Sequence, residues 1–275
     1  MKEHDEIREI LRTFAASPNS VFSAEDACDA LREYGEALVD VLTDALCDPD
    51  EDVRRLVLSL LDVLEDKCEP ALPALIKVLK DSDRVARILA ADLLGQRGQK
   101  AKAAVPILET WVGSKDRSSH IKALGNIMRI DPSRVDDLLP LLIDTLQSED
   151  GIFQIEAVWM IGCLGEMALA AIPALKRRLH DHSTVSMSAS DAIHQITGDP
   201  ADAIMVGLKL LDHAEWLQRY VGAEHLRDLG SQACSAIPRL RRAATDDTDD
   251  GVRNAAKMAL HKIEVCCTSC SKVRG

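Results

Sequence analysis

The chain has 275 residues, of which 47% are hydrophobic and only 3% aromatic, and its formal net charge is −12 at pH 7. An acidic chain of this kind is repelled by nucleic acid and by anionic membranes unless its positive charge is gathered on one face. The first segment, MKEHDEIREILRTF, is charged throughout. The sequence nowhere contains the roughly 18 consecutive apolar residues of a membrane span. We therefore expect a cytoplasmic protein that binds neither nucleic acid nor membranes.

In chain order, residues 1–35 are predicted to form an acidic helix pair that caps the N-terminal end of the fold. From residue 36 a unit of about 33 residues recurs, which is typical of repeat architectures. Several copies begin with Pro-x-Leu, and these prolines are Pro73, Pro106, Pro140, Pro173 and Pro238. The predicted repeats are residues 36–68, 69–101, 102–134, 135–168, 169–199, 200–232 and 233–265, followed by a cysteine-containing tail at 266–275.

Each repeat is predicted to contain two short helices, A and B. Helix A begins at the proline, because the N–H that proline lacks would be unsatisfied in the first turn of a helix anyway. A break rich in Asp, Ser, His and Gly follows and supplies N-caps for helix B. In the last repeat, the apolar residues between Val252 and Ile263 form one stripe at helical periodicity. One pair cannot cover its own apolar face, so the pairs are predicted to stack into a single solenoid over residues 1–265.

Small residues and arginines recur at fixed places in helix B. Ala90-Ala91 and Gly222-Ala223 lie in mid-helix, where small side chains permit neighbouring helices to approach closely. Arginine recurs at the second position of the pattern, as Arg54, Arg87, Arg117, Arg219 and Arg253. The preceding breaks carry Asp, whose carboxylate can accept paired hydrogen bonds from a guanidinium. We therefore predict a structural Asp–Arg ladder that links adjacent repeats.

The proline-led helix A, the Asp-containing break and the helix B pattern together resemble HEAT-like repeats. The short period is similar to the subtype named after phycobilisome (bilin) lyases. The matching segments are Arg87…Ala90-Ala91…Leu94-Gly95…Gly98, Arg117…Ala123-Leu124-Gly125-Asn126-Ile127, Ile161-Gly162-Cys163-Leu164-Gly165 and Val252-Arg253…Leu260. The resemblance covers nearly the whole chain. It implies an all-α, right-handed α-solenoid of about eight helix pairs.

Two enzyme families with HEAT-like repeats do not fit these residues. Deoxyhypusine hydroxylases carry His-Glu pairs that bind two irons, whereas the nearest pair here is the reversed Glu224-His225. Alkylpurine DNA glycosylases need a basic groove, whereas the residues predicted to face the groove here are more often acidic than basic. The resemblance implies first a non-catalytic scaffold that needs no cofactor. A bilin-lyase-like subunit, which acts with a partner on a tetrapyrrole-carrying protein, is the alternative.

The cysteines are given no catalytic or metal-binding role. Those inside helical patterns are expected to be small buried residues, and they are Cys28, Cys47 and Cys163. The tail carries three more, Cys266, Cys267 and Cys270. The tail contains one CxxC pair, and a zinc site needs four ligands, so no metal site is predicted there.

The predicted partner site lies on helix B, opposite its core stripe, at positions 3, 7, 10 and 14 of the pattern, which would face the concave side of a solenoid. In the second half these positions hold large apolar residues, Ile155, Trp159, Met187, Tyr220 and Met258, and the acidic residues Glu166, Asp191 and Glu224. Trp and Tyr are enriched at binding hot spots. We predict a groove across residues 135–265 in which a monomer binds a protein segment with apolar anchors and basic flanks.

Overall fold

A computed structural model describes residues 2–16, 24–31, 34, 37–64, 69–181 and 183–273. Within these ranges every regular element is a helix and no β-strand occurs, which confirms the predicted all-α class. The chain divides into two compact units, residues 1–138 and 139–275. That residues 1–265 form one uninterrupted solenoid stays a prediction.

The first unit is a row of B helices with shorter A helices packed on it. Its helices are α1 Lys2–Ala15, α2 Ala24–Leu31, α3 Ala37–Ala45, α4 Glu51–Val63, α5 Leu72–Val78, α6 Arg84–Gln96, α7 Val105–Glu109 and α8 Arg117–Ile130. The B helices α2, α4, α6 and α8 pack one against the next. The A helices α3, α5 and α7 pack against α4, α6 and α8 respectively.

The second unit also alternates A and B helices. Its helices are α9 Val135–Asp144, in which the unit boundary falls, α10 Gly151–Cys163, α11 Ile172–Arg178, α12 Ser183–Thr197, α13 Ala201–Leu211, α14 Trp216–Asp228, α15 Ile237–Asp246 and α16 Asp250–Val273. Helix α10 packs against α12, α14 packs against α16, and α13 packs against both α12 and α14. Over the two units, the B helices from α4 onward begin at residues 51, 84, 117, 151, 183, 216 and 250, which confirms the period.

Three linkers between helix pairs share one conformation. Gly98, Gly165 and Gly230 each follow a B helix with φ of 54°, a left-handed conformation in which glycine lacks the usual steric penalty. Each begins a 3₁₀ segment that leads into an A helix, and these segments are Gly98–Ala104, Gly165–Ala171 and Gly230–Ala236. The following prolines, Pro106, Pro173 and Pro238, occupy the first turn of their A helices as predicted.

Proline 140 departs from this pattern. It lies inside α9, which already begins at Val135, so the prediction that Pro140 starts a helix is wrong. The linker before α9 is only the short 3₁₀ turn Pro132–Arg134. The residues that would continue this turn into a longer 3₁₀ linker, as in three other repeats, belong to the helix α9 instead. Asp136 and Asp137 in the first turn favour this earlier start, because they interact well with the positive end of the helix dipole.

The predicted Asp–Arg ladder is confirmed at Arg54 and Arg219, one in each unit. Within the described chain, Arg87 and Arg253 bond only to the break that precedes their own helix or to its first residue. Arg54 donates to Asp81 in the next break at 2.9 Å and to the carbonyl of Asp48 in its own break at 2.8 Å. Arg219 likewise holds Asp247 through two bonds of 2.7 and 2.8 Å. These bonds tie the start of one B helix to the break that precedes the next, which is the structural role expected.

The assignment of Arg117 to the ladder is wrong. Asp116 is the N-cap of α8, so Arg117 is the first residue of that helix, as Arg84 is of α6. The ladder position three residues later is His120, whose Nδ1 accepts a 2.9 Å bond from the Gly113 N–H. Burial lowers the pKa of His120, which favours the neutral ring that this bond requires. The sequence pattern, aligned on Arg117 and Leu124-Gly125, therefore placed α8 almost one helical turn too early in the chain.

The expectation for the cysteines holds only in part. Cys47 is exposed rather than buried, because it follows the end of α3 in a turn, and Cys163 is half-buried. The side chain of Cys28 lies outside the described residues. The backbone of the predicted tail continues α16 as far as Val273, and the side chains of Cys266, Cys267 and Cys270 also lie outside the described residues.

Candidate functional site

The predicted anchors lie on consecutive B helices of the second unit. Ile155 and Trp159 are on α10, Met187 on α12, Tyr220 on α14 and Met258 on α16. Residues three or four apart share one face of a helix. Positions 3 and 7 of each B helix therefore lie on the same side, as Ile155 and Trp159 do on α10. We call this side of α10, α12, α14 and α16 the B face.

The anchors differ in how much surface they expose. Trp159 is 46% exposed and Met258 is 58% exposed, so both present a large apolar surface to solvent. Ile155, Met187 and Tyr220 are half-buried. Tyr220 also packs against the core cluster formed by α14, α15 and α16, which includes Ala223 and Ala255. Tyr220 therefore contributes to folding as well as to the surface, whereas Trp159 and Met258 present more of their surface for binding.

The close approach of α10 and α12 depends on Gly162, three residues after Trp159. A Cβ added at Gly162 would lie 2.4 Å from Oε1 of Gln195 and 3.3 Å from the Cα of Ala192. The glycine thus lets α10 and α12 come together one helical turn after Trp159. This contact holds the B face of α10 in a fixed position relative to α12.

The acidic residues of the predicted site are partly neutralised by neighbours. Glu224 forms an ion pair with Arg227 at 2.7 Å, and Arg227 also lies 3.6 Å from Asp228. Lys262 of α16 approaches Asp228 at 3.7 Å. The Glu224–Arg227 pair has i,i+3 spacing and could have been read from the sequence. The attraction of the B face for a basic segment is therefore weaker than the acidic residues alone would give.

Asp191 faces His225 across the space between α12 and α14. Nε2 of His225 donates to the carbonyl of Ala203 at 3.2 Å, and its Nδ1 lies 3.7 Å from Oδ1 of Asp191. Burial raises the pKa of Asp191, the charges of His225 and His194 oppose that rise, and Asp228 adds to it. The carboxylate is thus poorly solvated where it lies, although part of the side chain reaches solvent.

This environment predicts a pH-dependent effect of Asp191→Asn. The folded pKa lies above its ordinary value of 3.8, so the contribution of Asp191 to stability is fully present below that value and is lost as pH rises through the folded pKa. Asparagine imitates the protonated acid. We expect the variant to gain stability relative to the parent as pH rises from about 4 to about 7, as measured by urea unfolding. A variant that is less stable at neutral pH would contradict the assignment.

The sequence analysis missed apolar residues at the start of the B helices. Ile152 is the second residue of α10 and is 74% exposed, and Leu217 at the same place in α14 is 50% exposed. Trp216, the first residue of α14, is 52% exposed. Ile152 and Leu217 precede Ile155 and Tyr220 by three residues, so they extend the B face towards the breaks. That spacing was a usable signal, but the predicted groove positions began three residues later.

Two further kinds of site are not seen in the described part of the chain. None of its clusters of His, Cys, Asp and Glu side chains has three or more members placed to hold a metal ion. Among the helices of the same ranges, none combines the length and apolar character needed to cross a bilayer. The described surface therefore offers an apolar face with scattered charges as its main candidate site.

Stacked A and B helices with a conserved break geometry define a helical-repeat protein of the α-solenoid class. Residues 36–124 match the family model of HEAT repeats. This match shows HEAT repeats at residues 36–124, in agreement with the resemblance found in the sequence. The chain matches no curated protein significantly.

Two solved structures are similar to this chain, and the first of them shares its fold. One is the complex of CpcE and CpcF of phycocyanin lyase from Nostoc sp. PCC7120, with 20% identity, a TM-score of 0.50, and coverage of 84% of this chain and 94% of that chain. The other is an engineered protein with 21% identity, a TM-score of 0.45, and coverage of 94% of this chain and 74% of its own. At these identities the likeness shows the fold alone.

Proposed function

We propose that the protein is a non-catalytic scaffold that acts in the cytoplasm as a monomer and binds a segment of a partner protein on the B face. One observation carries the proposal, the uneven distribution of exposed apolar side chains. Among the described residues, two large apolar side chains are strongly exposed in the first unit and ten in the second. Six of those ten lie on the B helices α10, α14 and α16. Single exposed apolar residues are common, but a concentration of them marks an interaction surface.

The B face supplies the anchors for such a segment. Trp159 and Met258 are exposed on α10 and α16, and Ile152 and Leu217 extend the same side. Covering a large apolar side chain contributes roughly 1.5–3 kcal/mol before the cost of association is subtracted, so these anchors can supply a large share of the binding energy of a complex. Asp191 on α12 leaves negative charge on this side, which suits a partner segment with basic flanks. Glu166 was predicted on a B helix but lies in the linker Gly165–Ala171 after α10, so it is not part of the B face.

Substitution of Trp159 tests the proposal. We expect Trp159→Ala to weaken binding of a partner by roughly 1–3 kcal/mol, because the ring is lost from the middle of the apolar surface. The partner is first identified by quantitative pull-down with mass spectrometry, comparing the parent protein with Trp159→Ala and Met258→Ala. The affinity of the identified protein for each variant is then measured by calorimetry.

Val85→Ala is the matched control. Val85 is the second residue of α6, is exposed, and lies on the B-helix side of the first unit, outside the proposed surface. It should leave both binding and melting temperature unchanged. Tyr220→Ala is interpreted only after its stability is measured, because Tyr220 also packs on the core. Equal affinities of the Trp159→Ala variant and the parent, with both folded, would show that the B face is not the partner site.

A bilin-lyase-like subunit is the second candidate. It is supported by the fold shared with the CpcE–CpcF complex of a phycocyanin lyase, which covers most of both chains. In that case the B face would contact a tetrapyrrole-carrying protein. The absorption spectrum of the protein purified after incubation with a bilin distinguishes the candidates. A stable visible band favours the lyase-like function, and its absence favours the scaffold.

A further inference from the structure

The start of α14 forms a second apolar surface at the end of the B face. Trp216 and Leu217 lie side by side there with about half of each side chain exposed. They border a recess of about 550 Å³, whose lining also includes Ala214, Glu215, Arg219, Thr248 and Asp249. An exposed indole beside a recess of this size provides a flat apolar wall for one side chain of a partner.

The charge of the lining determines which side chain fits. Arg219, the basic residue in the lining, is already engaged, since its Nε and Nη2 donate to Asp247 and its Nη1 donates to the carbonyls of His213 and Ala214. The Asp247 hydrogen bonds raise the pKa of Arg219, so it stays a charged partner of that carboxylate. Its charge is therefore cancelled within the break rather than offered to the recess.

Two other carboxylates in the lining add negative charge. Glu215 is the N-cap residue of α14, but its side chain makes no capping hydrogen bond to the helix. Asp249 caps α16 by accepting from the Val252 N–H at 3.1 Å. The N-termini of α14 and α16 each contribute roughly half a positive elementary charge, which opposes a bound cation. Two full carboxylates outweigh these partial charges, so the recess favours a cation.

We propose that this recess binds an arginine side chain of the partner segment. The guanidinium lies over the indole of Trp216 and between the carboxylates of Glu215 and Asp249, and its aliphatic stem covers Leu217. Arginine fits better than lysine because its planar group stacks on an aromatic ring and donates two parallel hydrogen bonds. The inference rests on the proposed function, for it identifies the chemistry of one basic flank of the same partner.

A small-molecule titration of the full chain tests this without knowing the partner. The probe is N-acetyl-arginine amide, and the readout is the indole N–H resonance of Trp216, assigned by its loss in Trp216→Phe. We expect a saturable shift with a Kd of about 1–10 mM, as one exposed side-chain contact should give. N-acetyl-citrulline amide has nearly the same shape without the charge, and it should bind at least about fivefold more weakly than the arginine amide.

Variants of the lining complete the test. Glu215→Gln combined with Asp249→Asn should reduce the response to the arginine amide about fivefold and leave the response to the citrulline amide unchanged. Asparagine keeps the cap of α16, so the fold is retained. Glu166→Gln, an exposed carboxylate in the linker Gly165–Ala171, is the matched control and should change nothing.

Each negative outcome has a distinct meaning. Equal responses to the arginine and citrulline amides, a response unaffected by the double substitution, or no response of Trp216 would each overturn the arginine site. None of these depends on Trp159. Conversely, partner affinity that is unchanged in Trp159→Ala would overturn the proposed function while leaving a measured arginine response in place.

Discussion

Gly222→Val should lower the free energy of unfolding by about 3 kcal/mol, at the upper end of the range for overpacked cores. A Cβ at Gly222 would lie 2.8 Å from the Cβ of Leu210, 2.9 Å from the carbonyl oxygen of Gly207 and 2.9 Å from the backbone nitrogen of Leu211. Two of these atoms belong to the backbone of α13, so rotamer changes cannot relieve the clash. Helix α13 would have to move away from α14, and the contacts between these two helices would be lost.

Two comparison variants test this prediction: Gly222→Ala adds a smaller side chain at the same position, and Gly151→Val adds the same side chain at an open position. Alanine adds only the Cβ and gains about 1 kcal/mol of helix propensity, so we expect a smaller net loss of about 1–2 kcal/mol. Gly151 is the first residue of α10, and a Cβ there would meet no atom within 4 Å, so Gly151→Val should stay within about 0.5 kcal/mol of the parent. Thermal or urea unfolding measures all three. Parent-like stability of Gly222→Val would mean that α13 and α14 do not approach as closely as described.

Asp83→Ala is the second substitution expected to have a large effect, with a loss of about 2–3 kcal/mol. Asp83 is buried, accepts from the N–H groups of Val85 and Ala86 at 3.1 and 3.0 Å, and holds Arg55 through bonds of 2.8 and 2.9 Å. Loss of an N-cap costs about 1 kcal/mol, and loss of charge-assisted hydrogen bonds costs roughly 1.5–3 kcal/mol. Arg55 is about one-third exposed and can be rehydrated, so the sum is reduced.

Asp50→Ala separates the two contributions. Asp50 caps α4 by accepting from the Asp52 N–H at 2.9 Å, so its loss should cost only about 1 kcal/mol. The pH dependence of Asp83→Ala provides an independent check. The hydrogen bonds from Arg55 hold the pKa of Asp83 well below 3.8, so its stabilisation is present above that value and is lost as pH falls through the folded pKa. The difference between parent and variant should therefore shrink in strong acid. A constant difference from pH 7 downward would show that Arg55 does not pair with Asp83.

Local features of the repeat were predictable from the sequence. The period, the helix pairs, the N-caps such as Asp83 and the ladder bonds of Arg54 and Arg219 depend on residues close in the chain or at a fixed repeat distance. Hydrophobic periodicity and turn chemistry act over one or two helical turns, and most copies reach the same local structure. The placement of Ile155, Trp159 and Met258 on B helices follows from the same periodicity.

Other features depended on contacts between helices. With Arg117 at position 2 of the repeat pattern, Lys122 falls at position 7, one of the positions predicted to face the groove. In the structure Lys122 is buried and donates to Asp92 at 2.7 Å. The cause is that α8 starts later than the pattern predicted, which turns this side chain towards α6. The exposure of Trp216 and the closeness of Asp191 to His225 likewise depend on which helices pack nearby. The sequence by itself determined which residues lie on a common side of each helix. Only the tertiary structure decided which of them a neighbouring helix covers, because burial depends on helix positions that no local pattern contains.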